Sequence, residues 1–232
     1  MIRIRRADER GITDFGWLDS RHSFSFGDYR DRNHNSFRTL RVINDDRIAV
    51  GGGFPSHPHR DMEILTCVLS GELAHRDSMG NGTTIRPGEW QKMTAGTGVI
   101  HCEFNPSESE AVHLLQIWVM PDRKGRTPEY EQKLFTFEDK TGRWRTIASV
   151  DGRDDSLTVH QDLVLSASLL SAGDVRTYSL APKRGAWVHL IDGSAQVNGH
   201  ALSAGDALAI EDEPTIRIEG IEAGEVLLFD LA

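Results

Sequence analysis

The sequence predicts an all-β chain of two tandem barrels, and three observations predict it. First, short apolar runs rich in β-branched residues recur: Arg38–Ile43, Ile64–Leu69, Val112–Met120, Ala186–Ile191 and Val226–Phe229. Second, turn punctuation returns at the spacing of sandwiches and barrels, as in Gly80-Asn81-Gly82, Asn198-Gly199 and Ala204-Gly205-Asp206. Third, there is an internal repeat. Val68-Leu69-Ser70-Gly71, then Asn81-Gly82, then Pro87-Gly88-Glu89 is echoed by Leu190-Ile191-Asp192-Gly193, Asn198-Gly199 and Ala204-Gly205-Asp206. Each copy reads strand, glycine turn, strand, tight turn, strand and a Gly-acid turn. The outer glycines are 17 residues apart in the first copy and 12 in the second, a difference absorbed by a larger turn around Met79. A chance likeness of two β meanders is the plainer alternative. Helical periodicity is scarce, and Pro128–Phe135 is the one stretch expected to give a short helix. A boundary near Pro121–Gly125 divides the chain into domains 1–121 and 122–232.

At 232 residues the chain suits one large domain or two smaller ones, either able to bury a core. Hydrophobic residues at 38% and charged ones at 26% describe an ordinary soluble globular protein. The net charge is −9, with 14 basic and 16 acidic groups in residues 1–120 and 12 and 19 in the rest. That balance excludes a broad nucleic-acid surface, which needs clustered Lys and Arg. Arg3, Arg5, Arg6 and Arg10 are the one local basic cluster. Cys67 and Cys102 cannot build a disulfide framework, and no apolar run approaches the roughly 18 residues of a membrane helix. The start, MIRIRRADER, lacks the apolar stretch of a signal peptide, so a cytoplasmic protein is expected.

Seven of the ten histidines precede residue 114, which places the chemistry in the first half. His57 and His59 stand at i and i+2, so on a strand they share one face. Pro58 between them cannot donate to a ladder, which calls for a strand end, an edge or a bulge. His101 and Glu103 form a second i, i+2 pair after the turn Ala95–Gly98. Together these offer three imidazoles and one carboxylate without thiolates, a set for a divalent transition metal with open positions. Fe(II) is expected first, with Mn, Ni, Co, Cu or Zn open. Proton competition should weaken such a site below about pH 6.

Cys102, between two candidates, should point to the opposite face into packing, and Cys67 should be a small core residue. Glu63 shares strand parity with His59 and reads either as a ligand or as an acceptor for a ligand's N–H. His75 and His113 read as structural histidines. His22 and His34 could border a pocket. His160, His189 and His200 are isolated, and the second repeat carries no ligand types at the matching offsets, so it is expected to be metal-free.

These residues carry a resemblance. Gly51-x5-His57-x-His59-x3-Glu63 and Gly98-x2-His101-x3-Asn105 look like the two motifs of the cupin superfamily. Gly71 comes one residue late, and Gly96 stands where the second motif usually has proline. More specifically, the chain resembles the pirin family, through Gly16–Ser20, Phe24–Gly27, His57–Glu63, His75–Gly80, Thr94–Glu103 and Gln116–Pro121. The likeness is strong over residues 1–135 and weak beyond. It implies a bicupin, two double-stranded β-helix barrels of which the first holds metal. It also implies His57, His59, His101 and Glu103 as the ligands, with Glu63 behind them.

Family members are similar in having quercetin 2,3-dioxygenase activity, and some act as nuclear transcription co-regulators. Two expectations follow. The first is an enzyme acting on a phenolic flavonol and O2, with Glu103 accepting the substrate proton. The second is a metal-containing redox-responsive module that binds a protein partner; the acidic back half could serve as its surface, although a solvated face is the plainer reading of that charge. No direct nucleic-acid or membrane partner is expected.

Overall fold

The computed structural model describes all 232 residues, and nearly every element in it is a strand. No helix is long and apolar enough to cross a membrane. In chain order the strands are β1 (Ile2–Arg5), β2 (Gly11–Asp14), β3 (Leu18–His22), β4 (Leu40–Ile48), β5 (Gly53–His59), β6 (Glu63–Ser70), β7 (Leu73–Asp77), β8 (Gly82–Ile85), β9 (Glu89–Thr94), β10 (Val99–Phe104), β11 (Val112–Val119) and β12 (Glu129–Leu134). They continue as β13 (Arg145–Ser149), β14 (Leu157–Thr158), β15 (Leu163–Leu170), β16 (Val175–Ser179), β17 (Gly185–Leu190), β18 (Ser194–Val197), β19 (His200–Ser203), β20 (Ala207–Glu211), β21 (Thr215–Glu222) and β22 (Gly224–Leu231).

Two compact units result. One comprises Gly11–Leu134 and Leu157–Gln161; the other comprises Met1–Arg10, Phe135–Ser156 and Asp162–Ala232. In the first, one sheet runs β12-β9-β6-β11-β4-β3-β2 and a smaller one runs β5-β10-β7-β8. The central strands β6 and β11 are apolar and buried along most of their length, whereas β10 alternates buried and less buried positions. Leu18, Ile48, Val68, Val112 and Leu114 of the large sheet close on Leu73 and Ile85 of the small one. Ile64 and Met93 likewise meet Val99. Each such buried side chain contributes roughly 1.5–3 kcal/mol. These two clusters clamp the sheets together and hold β10 in place.

The second unit is built alike. One sheet contains β1-β20-β17-β22-β15-β13 and the other runs β16-β21-β18-β19, over a core that includes Val188, Leu190, Ile210, Ile218 and Leu228. The internal repeat is real in three dimensions. In one copy β6 pairs with β9 and β7 with β8; in the other β17 pairs with β20 and β18 with β19. The glycine after the first strand is dictated each time. Gly71 has φ +72°, and a Cβ there would meet Ala111 O at 2.6 Å; Gly193 has φ +71°, and its Cβ would meet Ala223 O at 2.3 Å.

One expectation fails. Pro128–Phe135 gives no helix: Glu129–Leu134 is strand β12, paired with β9 over its whole length. Tertiary pairing with an edge of the large sheet overrides the local pattern. The one α-helix is the single turn Phe137–Lys140, where Thr136 and Asp139 cap each other reciprocally. The predicted strand runs shift only at their ends. Arg38–Ile43 begins at Leu40 and extends to Ile48, and Ala186–Ile191 becomes Gly185–Leu190.

Candidate metal centre

β5 and β10 lie side by side and antiparallel, with His101 directly opposite His57. β5 is the edge strand of its sheet, which is how Pro58 is accommodated, its side chain on the exposed side between the two histidines. The strands approach closely where β5 begins: a Cβ on Gly53 would lie 2.5 Å from Glu103 O. On β10 the burial pattern turns Val99, His101 and Glu103 inward. Cys102 faces the other way as expected, but is only half-buried rather than packed; Cys67 is buried, and neither forms a disulfide.

The inward faces bring three imidazoles together. Ring centroids are 4.4 Å apart for His57–His101, 4.7 Å for His57–His59 and 4.8 Å for His59–His101. His57 Nδ1–H donates to Pro55 O at 2.8 Å, so the neutral ring keeps its lone pair on Nε2, which faces His101 Nε2 at 3.0 Å. His59 Nε2 is buried without a hydrogen-bond partner, and so is Glu103 Oε1. The donor atoms fall into two groups joined by His101: His57, His59 and His101, and His75, His101 and Glu103, each within 4.8 Å.

The electrostatics suit ligation. Burial, reinforced by the neighbouring imidazoles, pushes His59 down to about 4. Burial does the same to His101, also to about 4, although Glu103 opposes it. Both are neutral near pH 7. Glu103 is buried, which alone would raise its pKa; the nearby His75, the His101 imidazole and the Gln116 hydrogen bond more than reverse this and hold it ionised. Three clustered imidazoles, one carboxylate and two orphaned buried donor atoms fit a divalent transition metal.

Around this cluster lie groups that the sequence reading missed. Gln116 Nε2 donates to Glu103 Oε2 at 2.8 Å, and Trp118 Nε1 donates to Gln116 Oε1 at 3.2 Å. His75, read as structural, sits 3.5 Å from His101 and 3.8 Å from Glu103, with Asp77 on its other nitrogen at 3.1 Å. Burial would lower its pKa, but Glu103 and Asp77 together raise it. The signal was the register of β7 on β10, which sets His75 opposite Glu103.

Glu63 is elsewhere. It is fully buried, its Oε2 accepts from Thr94 Oγ1 at 2.9 Å, and it belongs to neither donor group. Burial raises its pKa against the pull of Thr94, Lys92 and His160. His113 pairs with Asp45 at 2.7 Å, His34 with Asp31 at 2.7 Å and His160 with Glu129 at 3.1 Å.

A cavity of about 570 Å³ opens onto His57, His59 and Glu103. Phe15, Phe26, Phe54 and Trp118 supply aromatic wall, and Ser20, His22, Asn44, Asp46 and Gln116 line it with polar groups. Asp46 is buried and accepts from Ser20; burial, with the charges of Asp45, Glu103 and Asp19, pushes it up to about 7 despite that hydrogen bond.

Residues 3–119 match the family model described as Pirin, and residues 146–231 match one described as the quercetinase C-terminal cupin domain. The chain is 48% identical over 231 residues to a quercetin 2,3-dioxygenase of Escherichia coli K12, covering 100% of this chain and 99% of that protein. It is 40% identical over 233 residues to a pirin-like protein of Caulobacter vibrioides, with both chains fully covered. It superposes on the crystal structure of YhhW from E. coli with a TM-score of 0.97 at 48% identity, covering 100% of this chain and 98% of that one. Against the nickel(II) complex of bacterial pirin YhhW the TM-score is 0.96 at 48% identity, covering 100% and 99%.

Proposed function

The chain belongs to the pirin family, and from that premise we propose that it is a metal-dependent quercetin 2,3-dioxygenase, opening a flavonol ring with O2 and releasing carbon monoxide. The observation that carries this reading is the His/Glu cluster at the end of an aromatic-walled cavity of about 570 Å³. That volume is in the usual range for a small-molecule site. In this reading the chain is a bicupin, with the metal in the unit built on Gly11–Leu134 and a metal-free barrel in the other, so that the boundary expected near Pro121–Gly125 moves to about Leu134 and residues 1–10 join the second unit. The free cysteines suit a reducing, cytoplasmic setting.

His57, His59, His101 and Glu103 are the residues that would hold the ion, Fe(II) in our reading. When bound, the metal supplies a Lewis acid for the flavonol 3-hydroxyl and a partner for O2. The protein's own residues do the rest. Glu103 is ionised and takes the 3-hydroxyl proton, with Gln116 anchoring its other oxygen at 2.8 Å. Phe26, Phe54 and Trp118 hold the planar substrate and exclude water from the cluster. His75, pinned by Asp77, keeps a second donor beside Glu103 and stabilises its charge.

Metal analysis of purified protein, coupled to oxygen uptake and carbon monoxide release over a flavonol panel, tests the reading. One metal per chain and equal amounts of O2 consumed and CO released are expected. A metal-loaded protein that consumes no oxygen with any flavonol would leave the regulatory module as the better account.

A further inference from the structure

The large sheet of the first unit carries a polar row inside the cavity. Ser20 pairs with Asp46 and His22 with Asn44 between β3 and β4, and Asn44 pairs with Gln116 between β4 and β11. All five line the cavity, and each is at most 8% exposed. Three adjacent strands span about 10 Å at the usual 4.7–4.9 Å spacing. The row therefore runs from Gln116, next to Glu103, to Ser20 on the far side.

Burying such groups costs stability unless each finds a partner, and apolar residues would fill a sheet face more cheaply. Two of them are only half satisfied within the protein. His22 Nδ1–H donates to Asn44 Oδ1 at 2.8 Å, and Thr13 Oγ1 lies 2.8 Å from His22 Nε2, which fixes the ring. Asn44 Oδ1 is thereby occupied, which leaves Nδ2 as the donor that this cavity-lining side chain can offer a ligand. Ser20 Oγ is the sole side-chain donor to Asp46, and it engages Oδ1 alone. Asn44 and Asp46 are two residues apart on one strand and so share a face. One offers a donor and the other an acceptor, the complement of a hydroxyl group, which both donates and accepts.

We infer that Asn44 and Asp46 form a hydroxyl-recognition subsite, which grips a ring hydroxyl of the phenolic substrate remote from the oxygen at the His/Glu cluster. This deepens, and rests on, the flavonol reading of the same cavity. Ser20 and His22 are positioning residues that aim the pair. The subsite makes the cavity selective for polyhydroxylated flavonols over the parent 3-hydroxyflavone, which keeps only the hydroxyl at the metal cluster.

Calorimetric binding of quercetin and of 3-hydroxyflavone to the metal-loaded protein, alongside oxygen uptake with each, tests this. Asp46→Ala and Asn44→Ala should each weaken quercetin binding about 10- to 100-fold, the effect of losing a hydrogen bond to a charged or buried partner. Binding of 3-hydroxyflavone should change by no more than about 2-fold. Asp46→Asn, which keeps the shape and one acceptor, should fall between, with metal content matching wild type as the sign of an intact fold. Equal losses for both ligands, or no loss for either, would overturn the subsite while leaving the dioxygenase reading in place. Wild-type protein that binds neither ligand and takes up no oxygen would overturn the flavonol reading, and the subsite with it.

Discussion

His57 Nε2 faces His101 Nε2 at 3.0 Å across the seam where β5 and β10 pair. Two lone pairs that close repel unless a proton or a cation lies between them. Burial holds His101, and His59 beside it, down to about 4, so at neutral pH neither ring is cationic, and His101 can place its one N–H on Nδ1 and leave Nε2 open to a cation. Proton competition from these two ligands therefore begins well below the ordinary histidine value near 6.5. Metal content measured after dialysis should stay level from neutral pH to about 5 and collapse towards 4, with more than one proton taken up per metal lost. A fall centred near the ordinary histidine value would contradict the burial argument.

The two candidate glutamates separate cleanly. Each keeps one buried carboxylate oxygen without a hydrogen-bond partner, but Glu103 shares a donor group with His101, whereas Glu63 belongs to no such group and accepts from Thr94 on a different pair of strands. Glu103→Gln should remove tight metal binding and oxygen uptake together. Glu63→Gln should leave metal content unchanged, since it touches none of the cluster. Metal titration of the two variants side by side decides between them; an empty site in Glu63→Gln would reverse the assignment.

Gln116 offers a finer test of how the carboxylate is held. Its amide nitrogen, 2.8 Å from Glu103 Oε2, fixes the plane of that group. Gln116→Leu should keep the metal but lower turnover roughly 10- to 100-fold, the range for partners that orient a ligand. Unchanged kcat with unchanged metal would show that Glu103 needs no such support.

What the sequence made legible was local. Alternation on a strand put His57 with His59 and His101 with Glu103, and Pro58 announced an edge, because both follow from backbone geometry over a few residues. Glu63 could not be settled that way, since a strand position and a ligand position look alike until the partner strand is known. His75, Gln116 and Asp46 were invisible for the same reason: they reach the cavity through the pairing of β7 with β10, β11 with β4 and β4 with β3. Residues 129–134 misled because their pairing with β9 outweighs their helical pattern.

The repeat makes a matched prediction. Gly71 and Gly193 hold equivalent turns at φ +72° and +71°, and backbone oxygens at 2.6 Å and 2.3 Å close the space where a Cβ would go. Gly71→Ala and Gly193→Ala should each cost at least about 1–3 kcal/mol by denaturant unfolding. A variant as stable as wild type would mean that the turn relaxes without penalty.

Asp46 gives the last prediction, because its position in the cavity has a thermodynamic consequence independent of any ligand. Burial, joined by the charges of Asp45, Glu103 and Asp19, raises it from 3.8 to about 7. The folded state thus prefers the protonated form more than the unfolded chain does. Its contribution is intact below the unfolded value near 4 and is lost as pH climbs to about 7, at up to about 1.4 kcal/mol per unit. Asparagine cannot ionise but still accepts from Ser20 Oγ. With metal removed by chelation, so that histidine ligation does not enter, Asp46→Asn should match wild type near pH 4 and exceed it near pH 8. Urea unfolding at the two pH values reads this directly. A variant less stable than wild type at the higher pH would show that the ionised carboxylate is welcome in the cavity, and that the wall is wetter than its aromatic lining implies.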